Sequence, residues 1–117
     1  LSRSKQKGTL AETAVANYLR LFWPLVERRV LSGKNDKGDI AGVPNSIIEV
    51  KNQKTYKLIE WLKETEIERL NAGVDLGILV VKPNGVGVSD VDKWFAVVPL
   101  STMVTLIKGQ DAEGLQS

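Results

Sequence analysis

Apolar residues recur at two different periods along this chain, and the changes of period divide it into elements. Ala11, Ala14, Val15, Tyr18, Leu19 and Phe22 fall three or four apart, which predicts an amphipathic helix. Thr9 is its expected N-cap, Glu12 stands at the capping-box spacing, and Pro24 is the expected stop. Residues 1–8 are polar and basic and read as a flexible arm. Val26 to Leu31 places charges between apolar residues and reads as a strand, followed by a turn-rich loop from Ser32 to Gly38. Asp39 to Val43 is a second strand, Pro44-Asn45 a turn, and Ser46 to Lys51 a third strand, where Ile47, Ile48 and Val50 predict burial. A second helix is expected over residues 57–71, closed by Ala72-Gly73. Its Glu60, Glu64, Glu66 and Glu68 predict a solvated outer face. Leu76 to Val81 is unbroken apolar sequence, the mark of a central strand with a parallel neighbour. After a turn at Asn84-Gly85 come a strand over 94–98, a short helix over 100–108 and a frayed tail over 109–117.

This order is helix, three strands, helix, strand, strand. Three consecutive strands predict an antiparallel meander, and the helix after them permits a parallel crossover. The expected fold is α/β: one domain over residues 1–117, with a mixed β-sheet flanked by helices. Its 117 residues, 43% of them apolar, suffice for one modest core. No apolar run approaches the roughly 20 residues that span a bilayer.

Composition narrows the chemistry. With no cysteine and no histidine, thiolate or histidine metal sites, cysteine nucleophiles and histidine bases are excluded. The lack of cysteine fits a reducing compartment, and a cytoplasmic location is expected. Carboxylates, lysines, hydroxyls or a bound metal remain to do the work. The net charge of +2 is divided unevenly: residues 1–57 carry eleven Lys/Arg against five Asp/Glu, and residues 58–117 five against nine. The basic half therefore suits a polyanion, although surface lysines alone also account for it.

That same half holds the densest candidate site. Glu49 and Lys51 are two apart on the third strand, so they share a face. A hairpin between the second and third strands brings Asp39 close to Glu49. Two carboxylates and the Val50 carbonyl form an oxygen set suited to Mg²⁺, with Mn²⁺ as a substitute. Lys51 beside them could orient or help deprotonate a water, or steady charge on a phosphate. A plain strand-end salt bridge between Glu49 and Lys51 is the simpler alternative when these two residues are considered alone. Glu12 flanks the buried helix face and needs Lys51 or a metal to compensate it, unless it serves only as a capping-box residue.

Glu12, Gly38-Asp39 and Glu49-Val50-Lys51, placed on helix, strand and strand, resemble the PD-(D/E)XK nuclease superfamily. The short length, the early glutamate and the segments 59–63 and 77–82 are most similar to its Holliday-junction resolvases of phage and archaeal type. The resemblance covers residues 7 to 100. It departs at Gly38, where the family's name has proline, and Asp36 is a rival for the ligand role of Asp39. The resemblance implies a restriction-endonuclease-like αβββαβ core. Its implied catalytic residues are Glu12, Asp39, Glu49 and Lys51, with Asp39, Glu49 and the Val50 carbonyl as metal ligands.

On this reading Arg28, Arg29, Ser32, Lys34, Lys37, Gln53, Lys54 and Lys57 contact nucleic acid, and the arm Arg3 to Lys7 clasps it. The expected activity is metal-dependent endonucleolytic cleavage of branched double-stranded DNA, with a four-way junction as the leading substrate. The resemblance also implies a homodimer, with strand 76–81, Trp61, Trp94 and the residues around Phe95 as candidates for part of its interface. Another nuclease of the same superfamily (nicking, repair or recombination), a non-catalytic DNA-binding module, and a small structural protein with a chance motif are the other readings.

Overall fold

The computed structural model describes residues 2–29 and 38–116, with backbone alone from residue 111 onward. Helix α1 spans Arg3–Leu19. The Ser2 hydroxyl caps it, accepting from the Lys5 amide at 3.2 Å. The segment expected to be a flexible arm is thus the first turns of α1, because Ser2 supplies the cap and the following Lys and Gln are good helix formers. Thr9 and Glu12 then sit inside the helix and form no capping box. The helix stops at Leu19, ahead of Pro24. There the Arg20 guanidinium donates to the Val26 carbonyl at 2.7 Å and to Asn17 at 2.6 Å, which ties down the turn into the sheet.

The next elements are β1 (Glu27–Arg28), β2 (Ile40–Ala41), β3 (Ser46–Lys51), α2 (Leu58–Ala72) and β4 (Leu76–Val81). A 3-10 segment over Val88–Lys93 leads to β5 (Phe95–Val97) and α3 (Leu100–Gln116). The five strands lie in the order β1-β2-β3-β4-β5. The first three form the expected antiparallel meander, β3 and β4 run parallel across α2, and β5 returns antiparallel. The chain is therefore one α/β domain with a five-stranded mixed sheet. β1 and β2 are shorter than their sequence patterns predict. The tail expected to fray from residue 109 continues α3 to Gln116.

The sheet has an apolar face on each side. Parallel register sets Ile48 against Ile78 and Val50 against Val80, and these four pack with Ala11, Val15 and Ala16 of α1. The intervening positions, Leu79 and Val81, turn to the other face and pack on Trp61 of α2. Trp61 is 2% exposed and Trp94 8%, so both tryptophans belong to the core and neither forms a subunit face. Strand β4 is likewise interior, flanked by β3 and β5. Of the expected interface residues, Phe95 and its neighbour Ala96 are exposed.

Two glycines set the hairpin that carries Asp39. Gly42 has φ +97°, and a Cβ there would lie 2.7 Å from the Leu25 carbonyl oxygen and from the Val26 Cα. Only glycine lets β2 approach the start of β1 so closely. Gly38 has φ +94°, with Ile47 and Ile48 packed against it. Proline, fixed near φ −65°, cannot take this conformation. Glycine at this position is therefore a backbone requirement of this chain. No helix among the described residues is long and apolar enough to cross a membrane.

Candidate active site

The site forms where β2 gives out and β3 continues. The Asp39 amide donates to the Ile48 carbonyl at 2.9 Å, and Asp39 Oδ2 accepts the Val50 amide at 2.8 Å. The side chain of Asp39 thus takes over the ladder that its strand no longer supplies. On the other edge of β3, the Lys51 carbonyl accepts from the Lys82 amide at 2.9 Å. Backbone groups alternate between the two edges of a strand, so the Val50 carbonyl points with its amide toward the Asp39 side. Two kinds of oxygen, carboxylate and carbonyl, therefore meet at one place.

An open cleft of about 790 Å³ surrounds that place. Glu12, Asp39, Glu49, Val50 and Lys51 line it, together with Gln53, Lys54 and Lys57. Every described residue that the sequence proposed as catalytic or metal-binding thus opens onto one cavity. Ser4 and Lys7 of α1 form its opposite rim, and the Asn52 side chain bridges across to the Lys7 carbonyl at 3.2 Å. Ser32, Lys34, Lys37 and the rival ligand Asp36 lie outside the described residues.

Glu49 and Lys51 share the α2 face of the sheet, as their spacing predicts, and each also meets a carboxylate of α2, Glu68 and Glu64 respectively. Lys51 Nζ lies 2.9 Å from Glu64 Oε2 and 5.9 Å from the centroid of the Trp61 ring. Burial works against its charge. The Glu64 hydrogen bond and the fields of Glu49, Glu64 and Asp39 outweigh that cost and hold the ammonium above the ordinary lysine pKa. Lys51 is therefore a fixed cation and a poor proton acceptor.

Glu49 is 5% exposed. Desolvation is the main force on its carboxyl, reinforced by a hydrogen bond and like charge from Glu68 and opposed by a hydrogen bond from Asp39 and the charge of Lys51; the result is a pKa of about 8. Glu68 is itself 6% exposed, which corrects the expectation that the glutamates of α2 are all solvated. Trp61, Thr65 and Glu68 are the buried positions of that helix, spaced four and three apart. The signal for Glu68 was therefore present in the sequence as a glutamate on the tryptophan stripe. Glu64, three residues after Trp61, borders the same stripe, but only the folded chain brings it to Lys51.

Glu12 reaches the cleft from α1 but is compensated by Arg28, not by Lys51. Arg28 Nε lies 3.2 Å from Glu12 Oε1, and its Nη2 donates to Thr9 at 3.4 Å. Arg28, expected on the nucleic-acid surface, is thus engaged in joining β1 to α1. The Arg29 amide donates to the Asp39 carbonyl at 2.7 Å, so this residue helps to seat Asp39 through its backbone.

No protein-family model, no curated protein and no solved structure matches this chain. Among the described residues no group of three or more carboxylates is arranged to hold a metal ion. Asp39, Glu49 and the Val50 carbonyl nevertheless fit Mg²⁺, which binds through one or two carboxylates and keeps several waters. A dication also favours the ionised form of Glu49 that burial disfavours.

Proposed function

We propose that this chain is a divalent-metal-dependent endonuclease of the PD-(D/E)XK type that cleaves branched DNA, with the four-way junction as substrate. The reading rests on one observation: Asp39, Glu49, Val50, Lys51 and Glu12 open onto a single cleft rimmed by Lys7, Lys54 and Lys57. The element order from α1 through β4 supports the same reading.

Asp39, Glu49 and the Val50 carbonyl would hold the cation. When bound, it would offset the charge of the scissile phosphate and make water more acidic. The protein's own groups have separate tasks. Lys51, kept charged by its carboxylate neighbours, stabilises negative charge as it builds on the phosphate. This replaces the proton-accepting role that the sequence left open for it. The Val50 amide fixes the Asp39 carboxylate, so that ligand is oriented before any substrate arrives. Lys7, Lys54, Lys57 and Gln53 grip flanking phosphates, and this contribution weakens as salt rises. The expected setting is the cytoplasm.

Junction resolution needs two cuts, and a two-fold dimer supplies two matched sites. An exposed apolar stripe on α3, formed by Leu100, Met103, Val104 and Ile107, supports a homodimer.

The test is cleavage of an end-labelled synthetic four-way junction in Mg²⁺ and in EDTA, beside linear duplex, single strand and flap. Paired nicks that require metal and vanish in Asp39→Asn are expected. Asparagine keeps an acceptor for the Val50 amide, so the variant should fold while losing on the order of 100-fold or more in rate. Equal cutting of linear duplex would point to a general or repair nuclease. Tight junction binding with no cutting in Mg²⁺ or Mn²⁺ would make the chain a binding module.

A further inference from the structure

Beside the carboxylate cleft, and sharing Lys57 with it, lies a second surface of opposite character. Tyr56, Leu58 and Ile59 stand exposed there, at the entrance to α2. Ile59 is 75% exposed, because α2 turns Trp61, Thr65 and Glu68 inward and leaves position 59 facing water. Such a cluster is costly to leave in solvent and asks for an occupant.

Its surroundings indicate which. Lys57 and Lys63 border the apolar cluster, with Lys54 just before it, and Glu60 is the one acid among its lining residues. The apolar stripe of α3 differs: among its residues with described side chains, Lys108 is the only charged one. An uncharged stripe suits another protein, whereas an apolar ledge set among lysines suits a polyanion that carries flat apolar groups.

The ledge is also fixed in place. The Asn84 amide donates to the Tyr56 hydroxyl at 2.8 Å, and the Asn84 side chain donates to the Lys54 carbonyl at 2.9 Å. The Tyr56 ring stands edge-on to Trp61, with centroids 6.5 Å apart. With its hydroxyl engaged, Tyr56 offers its ring. A ring held in position loses little entropy when a base stacks on it.

We propose that Tyr56, Leu58 and Ile59 receive unstacked bases of the DNA whose phosphates lie in the adjoining cleft. This rests on the nuclease reading and deepens it. A continuous duplex buries its base faces in its own stack, whereas a branch point offers open faces at its centre. Apolar side chains that enter a base step do so at a cost in stacking that is lowest where stacking is already broken. The ledge therefore selects branched over linear DNA, while the lysines bind both.

The test is binding of the full chain in EDTA to a four-way junction carrying 2-aminopurine at the branch, and to a linear duplex with the same label. The intact protein should prefer the junction and raise the emission of the branch-point label. Ile59→Ser and Tyr56→Leu should each lose about tenfold in junction affinity and suppress that rise. Linear-duplex affinity should stay within about twofold. Tyr56→Phe, which keeps the ring, should keep the preference. Equal losses on both DNAs, or no loss on either, would overturn the ledge. So would a fall in sedimenting mass in Ile59→Ser with junction preference intact, which would assign the surface to a protein contact. Failure of the intact protein to bind either DNA would overturn the nuclease reading itself. A protein that binds and cuts junctions normally in all three variants would overturn the ledge alone.

Discussion

Glu49 couples the site to the stability of the fold. Its carboxyl has an ordinary pKa of 4.5 and titrates at about 8 in the folded chain, mainly because burial disfavours the anion. Between those pH values the folded chain holds an extra proton, so this group's contribution is fully present below pH 4.5 and is lost as pH rises through about 8. The loss cannot exceed about 1.4 kcal/mol per pH unit. Urea denaturation at a series of pH values across this range should show falling stability, and Glu49→Gln should flatten that component. An unchanged slope in the variant would mean that Glu49 is solvated. On the proposed metal site a dication would compete with this proton, so Mg²⁺ should raise the melting temperature more at the alkaline end than at the acid end, and Asp39→Asn should lose the effect. Lys51 gives a separate test through Glu64, which touches it at 2.9 Å and is not among the residues lining the cleft. Glu64→Gln should lower kcat on the order of tenfold with little change in KM, and Glu64→Asp should recover part of the loss. A change confined to KM would place Glu64 on the DNA surface.

Elements that bury a face were legible in the sequence, and elements held by single contacts were not. The boundaries of β3 and β4 follow from their sequence, β4 as an unbroken apolar run and β3 as the run Ile47-Ile48 with Val50, because both strands are interior and covered by helices. The pairing of Asp39 with Glu49 was readable for a related reason: a hairpin joins their strands, and no third element has to be positioned first. The Arg28–Glu12 pair and the Glu64–Lys51 pair cross between elements remote in sequence, and nothing in local spacing announces them. The start of α1 was misjudged because Thr9 and Glu12 imitate a capping box, while Ser2 caps a longer helix. β1 and β2 are short, and Ile40 is the one fully buried side chain they contribute. Each has two residues, and Gly42 allows them to meet. Gly42→Ala would force a Cβ against the Leu25 and Val26 backbone at an unfavourable φ. It should cost more than about 1 kcal/mol in chemical denaturation, and nuclease activity should fall with it as Asp39 loses its seat. Full stability in this variant would show that β1 can move away freely.

At the scale of the whole molecule, the two ends of the sheet are finished differently. At one end α1 closes over β1 and carries Glu12 to the cleft. At the other, β5 runs into α3, whose Leu100, Met103, Val104 and Ile107 recur at helical spacing and are all exposed. An isolated helix of this length is marginal in water, and this one includes Gly109 and several β-branched residues, which weaken it further. Packing must supply what propensity does not. A second copy of the chain provides a matching stripe under two-fold symmetry, where every contact is made twice. The expectation is a dimer in sedimentation velocity. Met103→Asp combined with Ile107→Asp should convert it to a monomer and lower its helical circular dichroism. Because the carboxylate cleft opens elsewhere on the chain, the proposed activity predicts that this monomer should still nick a junction but lose the coupling between its two cuts. An intact chain that sediments as a monomer with α3 fully helical would overturn the dimer, and paired cleavage would then require two independent binding events.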